Sequence, residues 1–265
     1  MARAVRRIQS IGTFKLIFYI LVMEFQTLII MKKHITNFIF LSFFILSMNV
    51  LLAQENDWTD LFDGESLKGW SIHSGFAKYR VEDGAIVGNA VKGSPNTFLC
   101  TDQEFGDFIL EFEVFLTDTK LNSGVQFRSI IAPEALTYWL RNEKGEMYPK
   151  LVPKDRVHGY QVEIAGADVG TSGGIYDEAR RAMIRDWWIE KGTDASKAFK
   201  DGQWNKYRIE CKGQSIKTWV NDILTADIKD AMTSSGIIGL QVHDVGNDDT
   251  PYEVRWRNIR LMKLD

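Results

Sequence analysis

Two cysteines in 265 residues, Cys100 and Cys211, are too few for a disulfide framework. Each ends a strand-like apolar run, and neither stands beside the His-and-acid pattern that a thiol nucleophile needs. Both are therefore expected as buried free thiols acting as small core hydrophobes. Histidine is just as scarce: past the N-terminal region only His73, His158 and His243 remain, without HxH or HExxH spacing, so no metal motif can be read. Five prolines and no low-complexity tract exclude a collagenous or Pro-rich chain. There is no GxSxG and no P-loop, which removes serine-hydrolase and nucleotide-binding readings. Positive charge is also short. The first 53 residues take six of the 32 Lys and Arg but one of the 35 Asp and Glu, leaving 26 against 34 beyond them. A chain of that sign has no global attraction for phosphate backbones, so nucleic acid is not an expected partner.

Long apolar runs are confined to the N-terminus. Met31-Lys32-Lys33 precede the run 38–52, and Ala53 adjoins the polar Gln54-Glu55-Asn56-Asp57. A basic head, an apolar core of about 15 residues and a small residue at a polar junction mark a secretory signal peptide. An earlier apolar stretch, 14–31, is interrupted by Glu24 and Gln26, so Met31 is expected as the true start and residues 1–30 as an upstream extension. A membrane anchor formed by one of the two runs is the alternative. Residues 1–53 are thus assigned to extension plus signal peptide and residues 54–265 to one domain, secreted or periplasmic, with no integral membrane segment once processed.

From residue 57 onward the dominant period is two. Phe108, Leu110, Phe112 and Val114 alternate with Ile109, Glu111, Glu113 and Phe115, and similar runs recur at 125–128, 160–164, 204–210, 215–220, 237–242 and 254–261. Asp83-Gly84 predicts a hairpin turn, Gly213 another, and Asn221-Asp222 a further tight reversal. Short, evenly spaced strands predict an all-β, two-sheet antiparallel jelly-roll sandwich. The exception is a short helical insertion, expected at 177–183 from its Glu, Ala and Arg content and again at 192–199. Residues 131–157, with Pro133, Pro149 and Pro153, read as further insertion. Glu111 and Glu113, with no third carboxylate in a glycosidase spacing, read as edge or surface residues.

Three strands carry an unusual polar side. Asn122, Gln126 and Arg128 share one face, Gln161 and Glu163 another, and Gln241 and His243 a third. Periodicity alone reads this as a solvated outer face; against that, Asn, Gln, Arg, Glu and His, in place of the Lys, Thr and Ser of a generic wet face, supply directional hydrogen bonds suited to a polyhydroxylated ligand. All eight tryptophans lie beyond residue 53, and Trp187-Trp188 either pack or stack on a sugar ring.

The run Trp58-Thr59-Asp60-Leu61-Phe62-Asp63-Gly64-Glu65-Ser66-Leu67-Lys68-Gly69-Trp70 resembles the start of the 3-keto-disaccharide hydrolase domain family. The resemblance continues through 122–128, 159–164, Ser172-Gly173-Gly174-Ile175-Tyr176-Asp177-Glu178, Trp204-Asn205, Trp219-Val220-Asn221, Gly239-Leu240-Gln241-Val242-His243 and Arg255-Trp256-Arg257-Asn258-Ile259. It implies a concanavalin-like sandwich acting on glycosides already oxidised at C3. A C3 ketone acidifies the C2 proton, so a base removes it, the C1 substituent leaves, and water then adds. Glu163 and His243 are the candidates for proton transfer; Arg128 and Gln126 for the developing oxyanion; Asn122, Gln161, Gln241, Tyr176 and Asp177 for further substrate contacts. A divalent cation is a further enolate stabiliser that such chemistry admits, with no ligand set assigned. Where relatives carry an acid directly after the Val-Glu-Ile run, this chain has Ala165-Gly166-Ala167 before Asp168. The competing expectations are a non-catalytic, lectin-like carbohydrate-binding sandwich and a glycosidase using paired carboxylates.

Overall fold

The structure is a computed structural model that describes Met23, Lys32 and residues 58–142, 144–184 and 188–264. The chain divides into two compact units, Met1–Asp57 and Trp58–Asp265. The expected upstream extension, signal peptide and start at Met31 lie outside the described residues. Among those that are described, no helix is long and apolar enough to cross a membrane.

The second unit is built from strands: β1 (Trp58–Asp60), β2 (Trp70–His73), β3 (Lys78–Glu82), β4 (Ala85–Asn89), β5 (Thr97–Thr101), β6 (Phe108–Leu116), β7 (Ser123–Ile131), β8 (Leu136–Arg141), β9 (Met147–Val152), β10 (Val157–Ile164), β11 (Ile175–Glu178), β12 (Ala182–Met183), β13 (Asn205–Lys212), β14 (Ser215–Val220), β15 (Ile223–Lys229), β16 (Ile237–Val242) and β17 (Glu253–Lys263). One sheet has the order β15-β14-β13-β6-β17-β4-β3, with β1 on β17; the other runs β12-β11-β10-β7-β16-β5-β2. The pairings are antiparallel, and the two sheets form the expected jelly-roll sandwich.

Period-two patterning explains the core. In β6 the even positions Phe108, Leu110, Phe112, Val114 and Leu116 are buried, and Phe112 stacks on Tyr207 at 5.1 Å between ring centroids. Val125, Phe127, Tyr160, Val162, Ile164 and Leu240 of the other sheet join the same cluster. Each such side chain contributes about 1.5–3 kcal/mol by leaving water. The turns follow their residues: Asp83 and Gly84 have φ of +50° and +73°, and Asn221 and Asp222 +49° and +65°, the left-handed pairs that close two-residue hairpins with the native twist. Cys100 and Cys211 are buried free thiols, with burial pushing both upward in pKa, Cys211 to about 12.

Among the described residues the helical insertion is not present. Residues 175–178 and 182–183 are β11 and β12, and the segment 192–199 holds a single 3-10 turn, Ala195–Lys197. Ala179 and Ala182 at φ +52° and +61° break any helix there. Helix propensity is worth only tenths of a kcal/mol per residue, and β11 gains ladder bonds and burial by pairing Tyr176 with Gln161 and Ile175 with Val162. Residues 131–157 likewise contain a hairpin, β8–β9, rather than irregular chain.

Candidate functional site

The outer face of the β12–β2 sheet carries the polar side chains in two cross-strand rows. Register places Phe98, Gln241, Gly124 and Glu163 in one row, and Cys100, Gly239, Gln126, Gln161 and Tyr176 in the next. Gly124 matters here: a Cβ at that position would lie 2.4 Å from the Gln161 amide carbon, so glycine lets Gln161 lean toward Glu163. Beyond the first row, where β7 begins and β16 ends, sit Asn122 and His243. A cavity of about 250 Å³ opens over this end, bounded by Asn96, Asn122, Gln161, Glu163, Tyr176, Glu178, Trp188, Gln241 and His243.

Glu163 is the centre of the arrangement. It is 7% exposed, and its carboxylate accepts hydrogen bonds from Asn122 Nδ2 and, at 3.2 Å, from Gln161 Nε2. Gln161 is itself held, its Oε1 accepting from Gln126 Nε2 at 2.6 Å, and Gln126 Oε1 accepts from Ser129 Oγ at 2.8 Å. A chain of neutral donors thus fixes the carboxylate without neutralising it. Burial pushes Glu163 up to about 7; the Asn122 and Gln161 bonds oppose this and the Glu178 charge adds to it. A carboxyl poised there exchanges a proton at neutral pH, which suits a general base.

The surrounding groups are less buried. His243 is half-buried, and its Nδ1 lies 2.7 Å from the Asp244 carbonyl, so Nδ1 donates there and Nε2 is the ring atom left for a ligand. Tyr176 is half-buried with its phenol pushed up by burial and by the Glu178 and Glu163 charges. Gln241 is fully buried, and neither its Nε2 nor its Oε1 has a hydrogen-bond partner among the described residues. An unsatisfied buried amide costs about 1–3 kcal/mol.

Of the residues singled out from sequence, Asn122, Gln161, Glu163, Tyr176, Gln241 and His243 meet at this cavity, and Gln126 lies beneath it as support. Arg128 and Asp177 do not. Arg128 has φ +45° within a bulge, one extra residue on β7 against both β10 and β16. The bulge breaks the alternation that aligned Arg128 with Gln126. Its buried guanidinium donates to the carbonyls of Gly106 and Gly213 and pairs with Asp107 at 2.6 Å. Asp177 pairs with Arg180 and Arg181 and faces the same way as Tyr160, toward the interior. Asp168 is exposed and does not reach the cavity.

Asn96 and Glu178 were not anticipated at the site. Glu178, 5% exposed and ion-paired with Arg156, shares the face of Tyr176 two residues away; a strand reading of 175–178 would have found it. Trp188 is at the cavity wall, whereas Trp187 lies outside the described residues. Among the described residues no three His, Cys, Asp or Glu side chains are grouped to hold a metal ion. A larger hollow of about 320 Å³ lies on the outer face of the other sheet; of its three acids, Asp60, Glu111 and Glu113, the two glutamates are paired with Arg208, Arg260, Arg257 and Asn258. Glu111 is not the edge residue its sequence suggested: it is on a central strand and 7% exposed.

The sandwich carries a polar face with directional hydrogen-bonding groups suited to a polyhydroxylated ligand. The chain belongs to the family described as the 3-keto-alpha-glucoside-1,2-lyase-like domain, which it matches over residues 57–262. No curated protein matches it. Among solved structures it is similar to a protein of unknown function with a galectin-like fold from Bacillus subtilis, at 9% identity and TM-score 0.50, covering 78% of this chain and 98% of that one. It is also similar to the apo Crh5 transglycosylase, at 11% identity and TM-score 0.50, covering 78% and 84%. A third similar structure is the carbohydrate-binding module CBM66 from Bacillus subtilis, at 16% identity and TM-score 0.48, covering 74% and 96%.

Proposed function

We propose that the protein is a secreted or periplasmic enzyme that cleaves 3-keto-glycosides by removing the C2 proton. The observation that carries this reading is Glu163, a buried carboxyl raised to about 7 and held only by amides at the cavity. Ionised Glu163 takes the C2 proton, which the adjacent C3 ketone has acidified, and the electron pair moves into an enolate. The enolate then expels the C1 oxygen as the C1–C2 double bond forms. Protonated His243 gives its Nε2 proton to that oxygen, the free alcohol departs, and a 3-keto-2-hydroxyglycal remains. Water adding across C1 and C2 completes the hydrolysis. Trp188 offers a flat apolar surface for the sugar ring.

The test is product release from a 3-keto-disaccharide in deuterium oxide, with exchange at C2 followed by mass. Glu163→Gln is expected to lower both by about 1,000-fold, within the range for losing a general base, while sugar binding persists. Absence of cleavage and exchange in the wild-type protein across several 3-keto-glycosides overturns the enzyme reading, and retained binding in that case identifies a carbohydrate-binding sandwich.

A further inference from the structure

Enolate formation places negative charge on the C3 oxygen, and a donor must meet it there. The two residues that sequence offered for this, Arg128 and Gln126, have their donors bound elsewhere in the fold. Among the buried polar side chains of the cavity, that of Gln241 has neither hydrogen-bonding group partnered among the described residues.

Its placement is well defined. Gln241 pairs with Gly124, and Gly124 with Glu163, so the two side chains stand in one row with a glycine strand between them. Strand spacing sets their Cα atoms about 10 Å apart; the Gln161 amide lies over the glycine between them, so a sugar ring that reaches both residues rests on that amide. Ser123 Oγ donates to the Gln241 carbonyl at 2.6 Å, holding the backbone that aims the side chain. A carboxamide presents a donor and an acceptor side by side. Its complement on a sugar is an acceptor-only oxygen next to a hydroxyl, which is an α-hydroxyketone.

Resting on the 3-keto-glycoside reading, we propose that Gln241 is the residue that grips the oxidised end of the substrate. Its Nε2 donates to the C3 carbonyl oxygen and its Oε1 accepts from a hydroxyl on a neighbouring carbon. As Glu163 takes the proton from C2, the C3 oxygen becomes an enolate oxygen and the Nε2 bond strengthens, so Gln241 acts more on the transition state than on the bound ground state. The bond that breaks is C2–H, its electron pair becomes the C2–C3 double bond, and the carbonyl pair moves onto the C3 oxygen facing Gln241.

Gln241→Met keeps length and apolar volume while removing both polar atoms. Compared with the wild-type protein, it is expected to lower kcat and the C2 exchange rate roughly 100-fold, as for removal of one oxyanion donor, with a smaller change in KM. Its thermal midpoint is expected to be equal or higher, because an unpartnered buried amide has been removed; a structural role would instead lower the midpoint and spare kcat. Unchanged exchange in a wild-type-like variant overturns the proposal and leaves Glu163 untouched. Should the wild-type protein show no exchange at all, calorimetric binding of the 3-keto-disaccharide decides. Binding weakened tenfold or more by Gln241→Met keeps the grip and removes the catalytic reading; equal binding by both proteins, or by neither, overturns the grip as well.

Discussion

Glu111 and Glu163 are equally buried at 7% exposure, each on the outer face of one of the two sheets, yet they titrate in opposite directions. Burial pulls both upward. At Glu111 the guanidinium groups of Arg260 and Arg208, 2.7 and 3.0 Å away, with Lys206 behind them, outweigh burial and hold the carboxyl below its ordinary value. At Glu163 only the amides of Asn122 and Gln161 oppose burial, and they lose. Exposure alone therefore says little about chemical readiness; whether the hydrogen-bond donors carry charge decides it. One sheet face is a neutralised ion-pair lattice, the other a polar cavity with an acid that no cation neutralises.

The comparison breaks most visibly in stability against pH. Folded Glu163 keeps its proton to about 7, while an unfolded glutamate releases it near 4.5. Folding therefore binds a proton in that window, and stability falls as the pH rises through it, by about 3 kcal/mol over the whole interval. Glu163→Gln, which cannot ionise, should gain on the wild-type protein by that amount between pH 4.5 and pH 8 in chemical denaturation; parallel pH curves for the two proteins would sink the assignment. In the active protein the same titration should give kcat/KM an acid limb that rises through pH 7.

Glu111→Gln should behave with the opposite sign and a smaller size. Folding favours the charged form of Glu111, so its contribution is full above 4.5 and is lost as the pH falls through the lowered folded value. The variant is expected to be about 1 kcal/mol less stable at pH 7, a size suited to partly exposed partners, and the gap should close in acid. Turnover per folded molecule should be unchanged, since Glu111 lies on the other sheet.

Particular residues show how far the sequence could be read. The face bearing Gln161, Glu163 and Gln241 was legible because i and i+2 in a strand share a side, and β10 and β16 keep that rule. Arg128 was misassigned because one bulge resets the alternation, and a bulge has almost no signature in its own strand. Its trace lies opposite, at Gly159 and Gly236, where a Cβ would come within 2.6 and 2.2 Å of Ser129. Glu178 was hidden by a different error: helix-forming composition at 177–183 outweighed the possibility of pairing with β10, a partner distant enough in sequence that local propensity is blind to it. That Gln241 is left unpartnered while Gln126 bonds to Gln161 depends on cross-strand register, which sets Gln126 opposite Gln161 but Gln241 opposite Gly124 and Phe98.

The finest test of the contrast lies in the amide chain behind Glu163, which has no counterpart at Glu111. Gln126→Met removes the donor that orients Gln161, at one step from the carboxylate. Without it the Gln161 amide is free to turn, its 3.2 Å bond to Glu163 weakens, and the ionised form loses one of the two contacts that oppose burial. Glu163 should then move higher still. The acid limb of kcat/KM is expected to shift upward by about half a pH unit, with turnover roughly halved at pH 7, as follows from the loss of part of one hydrogen bond to a charged group. Loss of packing alone would lower the thermal midpoint and leave the limb in place, so a stationary limb would show that the amide chain supports the fold without tuning the base.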